Sequence, residues 1–199
     1  MILSNVSTAA TITINNLDGA GEGFNDATAA TPVGGNPGTT VGSQRVNLFQ
    51  KAADILGAQI QSTISIVVDA KFDPLFCDAS SAVLGSAGPN TVFRDFTNAP
   101  IASTWYAAAL ADSIENTNIN SSNDITATFN SNLNGAGGCL GGTTWYYGYD
   151  TNPGGTQDLL TVVLHEILHG IGFLSFLVNF AAQIFARIID SSMTSFANR

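Results

Sequence analysis

The sequence has little charge, and most of that charge is negative. Only 11% of its 199 residues are charged, and 15 Asp and Glu outnumber six Lys and Arg, so the formal net charge is −9. A chain with so few cations lacks the basic surface that binds nucleic acid or an anionic membrane, and we exclude both as partners. Surface polarity must come from Asn, Ser, Thr and Gly, which favours an extracellular protein.

Cysteine is also scarce, with only Cys77 and Cys139 in the chain. Neither belongs to a CxxC or CxxH pair, which argues against a zinc knuckle or a thioredoxin-type redox site. A disulfide between them would close a long loop. The alternative is two buried free thiols, because spacing alone cannot establish that two cysteines are close.

The chain lacks a recognisable secretion leader. Met1 to Leu3 are followed at once by Ser-Asn-Val-Ser, with neither a basic segment nor an apolar run. Either the protein is not exported, or its leader has been removed from this numbering. Together with the composition, the second explanation predicts a secreted or extracellular protein.

The hydrophobic content is high enough for a folded core. At 45% hydrophobic residues, general disorder is excluded, and 199 residues suit one domain. We therefore predict a single domain over residues 1–199, with a flexible N-terminus at 1–10. Alternating or helical spacing of apolar residues predicts strands at 11–15, 64–72 and 125–130, and helices at 44–61 and 105–114.

The only two histidines lie in one motif, His165-Glu166-Ile167-Leu168-His169. On a helix, residues four apart share a face, so both imidazoles can bind one zinc ion. Glu166 lies beside that face, which suits a general base that takes a proton from a metal-activated water. The alternative is a pair of core histidines, which would leave three polar groups buried without partners at a high cost.

The motif lies within a long apolar segment, Leu159 to Phe185, which is long enough to span a bilayer. Several residues argue against a span: Gly170, Gly172, Ser175, Asn179 and Gln183. We expect no membrane span. The pattern predicts a helix packed on a sheet that breaks at Gly170–Gly172, followed by a second apolar helix.

Residues 162–173 resemble the active-site helix of the metzincins, a group of zincin metallopeptidases. The chain is similar to predicted secreted bacterial metallopeptidases that often carry a protease-associated domain; other shared stretches are 18–26, 34–38, 128–133 and 145–148. The resemblance implies an α+β zincin-like fold, with a twisted mixed sheet packed against the motif helix. It also implies a zinc-dependent endopeptidase acting on peptides or proteins, with His165 and His169 as ligands and Glu166 as base.

The sequence departs from the metzincin signature at the third ligand. The signature places a histidine at position 175, where this chain has Ser175. Catalytic zinc usually has three protein ligands, so the third protein ligand is either a carboxylate or missing. We expect Asp190, which lies 21 residues after His169, with Asp150 and Asp158 as weaker candidates.

The chain ends at Arg199, soon after the motif helix, whereas zincins usually have a further subdomain there. We therefore expect a C-terminally incomplete domain. The alternative function, favoured by the missing third ligand, is a non-catalytic zincin-like module or an inactive relative that acts as a binding domain.

Three other features suggest roles. Asp18, Glu22 and Asp26 lie on a Gly-rich loop and could bind calcium; the alternative is solvated carboxylates on a turn. The aromatic patch Trp145–Tyr149 could stabilise an oxyanion or close the cleft, or could simply pack in the core and at its rim. We expect strand 125–130 to form the cleft edge that pairs with an extended peptide.

Overall fold

The computed structural model describes residues 8–173, which form three α-helices, two short 3-10 helices and eight strands. The helices are α1 Val41–Gly57, α2 Ala108–Glu115 and α3 Leu159–Ile171. The strands are β1 Ile12–Asn16, β2 Ile66–Asp73, β3 Gly85–Pro89, β4 Val92–Phe93, β5 Tyr106–Ala107, β6 Ile125–Asn130, β7 Trp145–Tyr146 and β8 Gln157–Asp158. The predicted α+β class is confirmed.

Four of the strands form a mixed sheet in the order β1-β2-β6-β3. Strands β1, β2 and β6 are parallel, with Ile14 opposite Val68 and Val68 opposite Ile125. Strand β3 runs antiparallel to β6 and places Gly85 opposite Phe129. The sheet is therefore mixed, as predicted, and its antiparallel strand lies at one edge.

The prediction that strand 125–130 forms the edge is wrong. Strand β6 lies between β2 and β3, so both of its sides are paired. The edge on the β6 side of the sheet is β3, whose sequence Gly-Ser-Ala-Gly-Pro has no alternation of apolar and polar residues and no β-branched residue. Pairing with β6, rather than local propensity, makes this segment a strand.

The core lies between one face of the sheet and the helices α1 and α3. Strand β2 alternates as expected, with Ile66, Val68, Ala70 and Phe72 buried and the residues between them half-buried. A cluster of aromatic rings with centroids 4.7 to 5.9 Å apart joins α1 to the sheet: Phe24, Phe49, Phe72 and Phe129.

Helix α1 begins three residues earlier than the predicted helix at 44–61. Thr40 and Ser43 form a capping box, in which the Thr40 side chain accepts from the Ser43 N–H and the Ser43 side chain accepts from the Thr40 N–H. Most of the predicted flexible segment 1–10 lies outside the described residues. Ala10 is buried, and its N–H donates to the carbonyl oxygens of Gly57 and Ile60 at 3.0 and 2.8 Å.

Cys77 and Cys139 form a disulfide, with their Cα atoms 5.2 Å apart. Of the two arrangements that the sequence left open, this one is therefore present. The bond tethers the loop that precedes β3 to the loop that follows β6. Within residues 8–173, no helix is long and apolar enough to cross a membrane.

Two buried carboxyl groups meet where α2 approaches the start of β6. Asp112 accepts from the Ile119 N–H at 2.9 Å, and Asp124 accepts from the Val67 N–H at 2.7 Å. Burial raises the pKa of both groups, and the negative charge of Asp112 raises the pKa of Asp124 further. The hydrogen bond between the two side chains raises the pKa of Asp124 and lowers that of Asp112.

This pair predicts a loss of stability as pH rises. Both folded-state pKa values exceed the unfolded value of about 3.9. The carboxyl pair therefore contributes its full stabilisation below about pH 3.9 and loses it as the pH rises through the raised folded-state pKa values. Asp124→Asn removes one charge and keeps both a donor and an acceptor. We expect its Tm at pH 7 to exceed the wild-type Tm by roughly 2–4 °C, with a flatter profile between pH 4 and 8.

Thermal unfolding across that pH range measures the difference. Asp54→Asn, at an exposed position on α1, is the matched control and should keep the wild-type profile. Parallel profiles for the wild type and Asp124→Asn would show that the carboxyl pair does not control the pH dependence.

Candidate metal centre

Helix α3 positions the histidine motif at the edge of the core. Asp158 caps its start and accepts from the Leu160 N–H at 3.1 Å. The buried face of the helix packs toward the sheet through Leu159, Leu160, Val163 and Ile167. This face repeats at three- and four-residue steps, so the motif residues fall at defined positions around the helix.

Glycines shape the C-terminal end of α3. Gly170 lies so close to strand β6 that a Cβ atom there would overlap the Ile125 side chain. Gly172 has φ +133°, a backbone conformation that favours glycine, and its N–H donates to the carbonyl oxygens of Leu168 and His169. The helix therefore ends at Ile171, which confirms the predicted helix end, and the predicted second apolar helix lies outside the described residues.

The two imidazoles converge on each other. Nε2 of His165 lies 2.9 Å from Nε2 of His169, and the ring centroids are 4.5 Å apart. Two nitrogens bound at about 2.0–2.1 Å to one tetrahedral zinc ion would lie about 3.3 Å apart. The side-chain donors therefore have the chemistry and nearly the spacing that a shared zinc ion requires.

A backbone carbonyl orients the second imidazole. Nδ1 of His169 hydrogen-bonds to the carbonyl oxygen of Phe173. Because a carbonyl oxygen only accepts, Nδ1 must carry the proton, so Nε2 of His169 accepts in the 2.9 Å hydrogen bond with Nε2 of His165. The lone pair of that Nε2 is the one that a metal would use in place of this hydrogen bond. The sequence alone did not identify this contact, since a backbone carbonyl has no residue-type signal.

The three motif residues differ in exposure. His165 is exposed, His169 is half-buried, and Glu166 is buried with 9% of its surface accessible. The alternative of two core histidines is therefore wrong for His165, whose side chain faces solvent.

Glu166 lies between α3 and the edge strand. A Cβ atom at Gly85 in β3 would lie 3.0 Å from Glu166 Cγ, so the glutamate side chain packs directly over the strand backbone. Glu166 directly follows His165 on α3, and its role as a general base beside the metal position stays a prediction.

The predicted third ligand falls outside the part of the chain that the structure describes. Asp190 and Ser175 lie outside residues 8–173. The weaker candidates serve the fold instead: Asp158 caps α3, and Asp150 accepts from the Tyr146 hydroxyl at 2.5 Å. In the described part of the chain, no set of three His, Cys, Asp or Glu side chains converges to hold a metal.

The loop proposed for calcium uses its carboxylates to bind its own backbone. Asp18 accepts from the N–H groups of Phe24 and Phe72 at 2.7 and 2.8 Å. Glu22 accepts from Gly19, and Asp26 accepts from Thr28. The three carboxylates do not converge. These contacts fasten the loop to β2.

The aromatic patch makes mainly packing contacts. Trp145 is buried and donates from Nε1 to the Asn130 carbonyl at 2.8 Å. The Tyr147 hydroxyl accepts from Arg45 Nε at 3.1 Å, and burial raises the pKa of this phenol. The hydrogen bond to Asp150 raises the pKa of Tyr146. These contacts support the alternative in which the aromatic patch packs in the core and at its rim.

Comparisons of the chain with protein-family models, with curated proteins and with solved structures gave no match. The zincin family and its activity therefore stay predictions, supported by the motif and by the geometry of its side chains.

Proposed function

We propose that this protein is a zinc-dependent endopeptidase with a zincin-like fold. The observation that carries the proposal is the convergence of the His165 and His169 Nε2 atoms at 2.9 Å. Glu166 supports it, because a buried carboxylate lies one residue along the same helix. The antiparallel edge strand β3 beside α3 supports the zincin-like arrangement.

Each motif residue has a separate chemical task. The two histidines would hold the metal through Nε2, and the Phe173 carbonyl fixes the orientation of the His169 ring. Zinc, when bound, supplies Lewis-acid chemistry that makes water nucleophilic at neutral pH. Glu166 takes the proton of the attacking water and delivers it to the leaving amine nitrogen as the peptide bond breaks.

The edge strand supports an extended peptide as the substrate. Strand β3 pairs with β6 on one side, and within residues 8–173 no strand pairs with its other side. A peptide can add to such an edge through main-chain hydrogen bonds, which place little demand on its sequence. The disulfide supports a secreted protein, because disulfides persist in oxidising compartments.

A second candidate function is a non-catalytic zincin-like module that binds metal or a partner. Ser175, at the position where metzincins have a histidine, favours it. Zinc retained without any peptide hydrolysis would support this function over the endopeptidase.

Zinc content tests the proposed site directly. We expect about one zinc per wild-type chain and almost none in His169→Ala, because a single imidazole cannot hold the ion. Elemental analysis of the purified full chain after zinc reconstitution measures this. Asp150→Asn is the control and should keep its zinc, whereas loss of zinc in Asp190→Asn would identify Asp190 as the third ligand. A wild-type chain without zinc would disprove the site.

A further inference from the structure

The edge strand begins with a glycine that lies directly under the motif helix. Gly85 is opposite Phe129 in the β3–β6 pair. A Cβ atom at Gly85 would lie 3.0 Å from Glu166 Cγ, 3.4 Å from Glu166 Cδ and 3.2 Å from Phe129 Cδ1. The contacts at 3.0 Å with Glu166 Cγ and at 3.2 Å with Phe129 Cδ1 are too close for packed side chains, so one of these side chains would have to move. The missing Cβ leaves the space that Glu166 occupies.

A second glycine in the same strand shows that the lack of space for a Cβ atom is confined to position 85. Gly88 lies three residues further on, and a Cβ atom there would meet nothing within 4 Å. Neither Gly85 nor Gly88 has a positive φ, so neither backbone conformation requires glycine. The need for glycine at position 85 therefore comes from the side chains above it.

Of the two neighbours, Glu166 is the one that can move. Phe129 has no accessible surface, and its ring packs 4.8 Å from Phe49 and 5.8 Å from Phe72. Glu166 keeps 9% of its surface accessible. A methyl group at position 85 would therefore displace the glutamate side chain rather than the ring.

We propose that Gly85 is a positioning residue that sets the side-chain conformation of Glu166 beside the histidine pair. The inference rests on the proposed function, since it assigns Gly85 an effect on catalysis through Glu166. A displacement of about 1 Å in a catalytic group can lower turnover about 100-fold.

Steady-state kinetics test the effect on the reaction. For Gly85→Ala we expect kcat to fall by about 10- to 100-fold, with KM and zinc content within about twofold of the wild type. A lower kcat with an unchanged KM indicates a displaced Glu166. A change in peptide binding on β3 would instead raise KM. An unchanged kcat, or a raised KM alone, would overturn the proposal.

Thermal unfolding tests the contact without any activity. We expect Gly85→Ala to lower Tm by about 3–8 °C, and by less than half of that in a Glu166→Ala background, where only Phe129 remains in the way. Gly88→Ala is the stability control and should change Tm by less than about 1 °C.

Equal Tm losses from Gly85→Ala in the two backgrounds would show that Glu166 is not the group that Gly85 accommodates. This result does not depend on zinc. A wild-type chain that binds no zinc would defeat the proposed function, while the Tm comparison would still decide the contact between Gly85 and Glu166.

Discussion

Glu166→Gln is expected to lower kcat by about 10²- to 10⁴-fold while leaving about one zinc per chain. An amide has nearly the size of the carboxylate and keeps the packing against Gly85, but it cannot accept the proton of the attacking water. The histidines remain in place, so the metal site should persist. Initial rates of peptide hydrolysis and zinc analysis on the same preparations measure the two effects.

Glu115→Gln is the matched control for this variant. The half-buried Glu115 side chain accepts from the Asn98 N–H at 2.9 Å, and it belongs to α2 rather than to the motif helix. Its kcat should equal that of the wild type. Full activity in Glu166→Gln would rule out Glu166 as the base, and loss of zinc in that variant would make Glu166 a ligand instead.

Loss of the disulfide is expected to lower the free energy of unfolding by about 4 kcal/mol. The bond joins residues separated by 62 positions, and a loop of that length gains much conformational entropy in the unfolded chain once the bond is absent. Cys77→Ala/Cys139→Ala removes the bond without placing a hydroxyl at the buried position 139. Urea unfolding of both proteins measures the change.

A reducing agent provides the internal control. It should lower the urea midpoint of the wild type toward that of the double variant and leave the double variant unchanged. Equal midpoints for wild type and double variant under oxidising conditions would show that the bond contributes nothing to stability.

The disulfide holds the same segment that a buried asparagine holds. The Asn130 side chain has no accessible surface and donates to the carbonyl oxygens of Val83 and Phe76 at 2.8 and 3.3 Å. Its Oδ1 atom accepts from the Leu75 N–H at 3.2 Å. Residues 75–83 lead directly into β3, so both contacts stabilise the strand that carries Gly85.

Short-range periodicity was enough to predict the elements that carry the motif. The four-residue spacing of His165 and His169 places both rings on one helix face wherever that helix packs, and the structure shows them together. The alternation in β2 and β6 likewise reflects a local backbone geometry that every strand shares. Gly172 marked the helix end because only glycine adopts its φ readily.

Long-range contacts decided the rest. Strand β3 exists because β6 supplies its hydrogen bonds, and no pattern in Gly-Ser-Ala-Gly-Pro indicates a partner about forty residues away. The role of Gly85 depends on a helix about eighty residues later in the chain. The pairing of Cys77 with Cys139 likewise depends on how two distant loops meet.

The sequence by itself therefore determined the α+β class, the motif helix and the shared helix face of His165 and His169, because these follow from local spacing. Only the tertiary structure decided which strand forms the edge, why that edge begins with glycine, and that Glu166 packs against it. Such contacts join residues far apart in the chain, and they are set by packing rather than by local propensity.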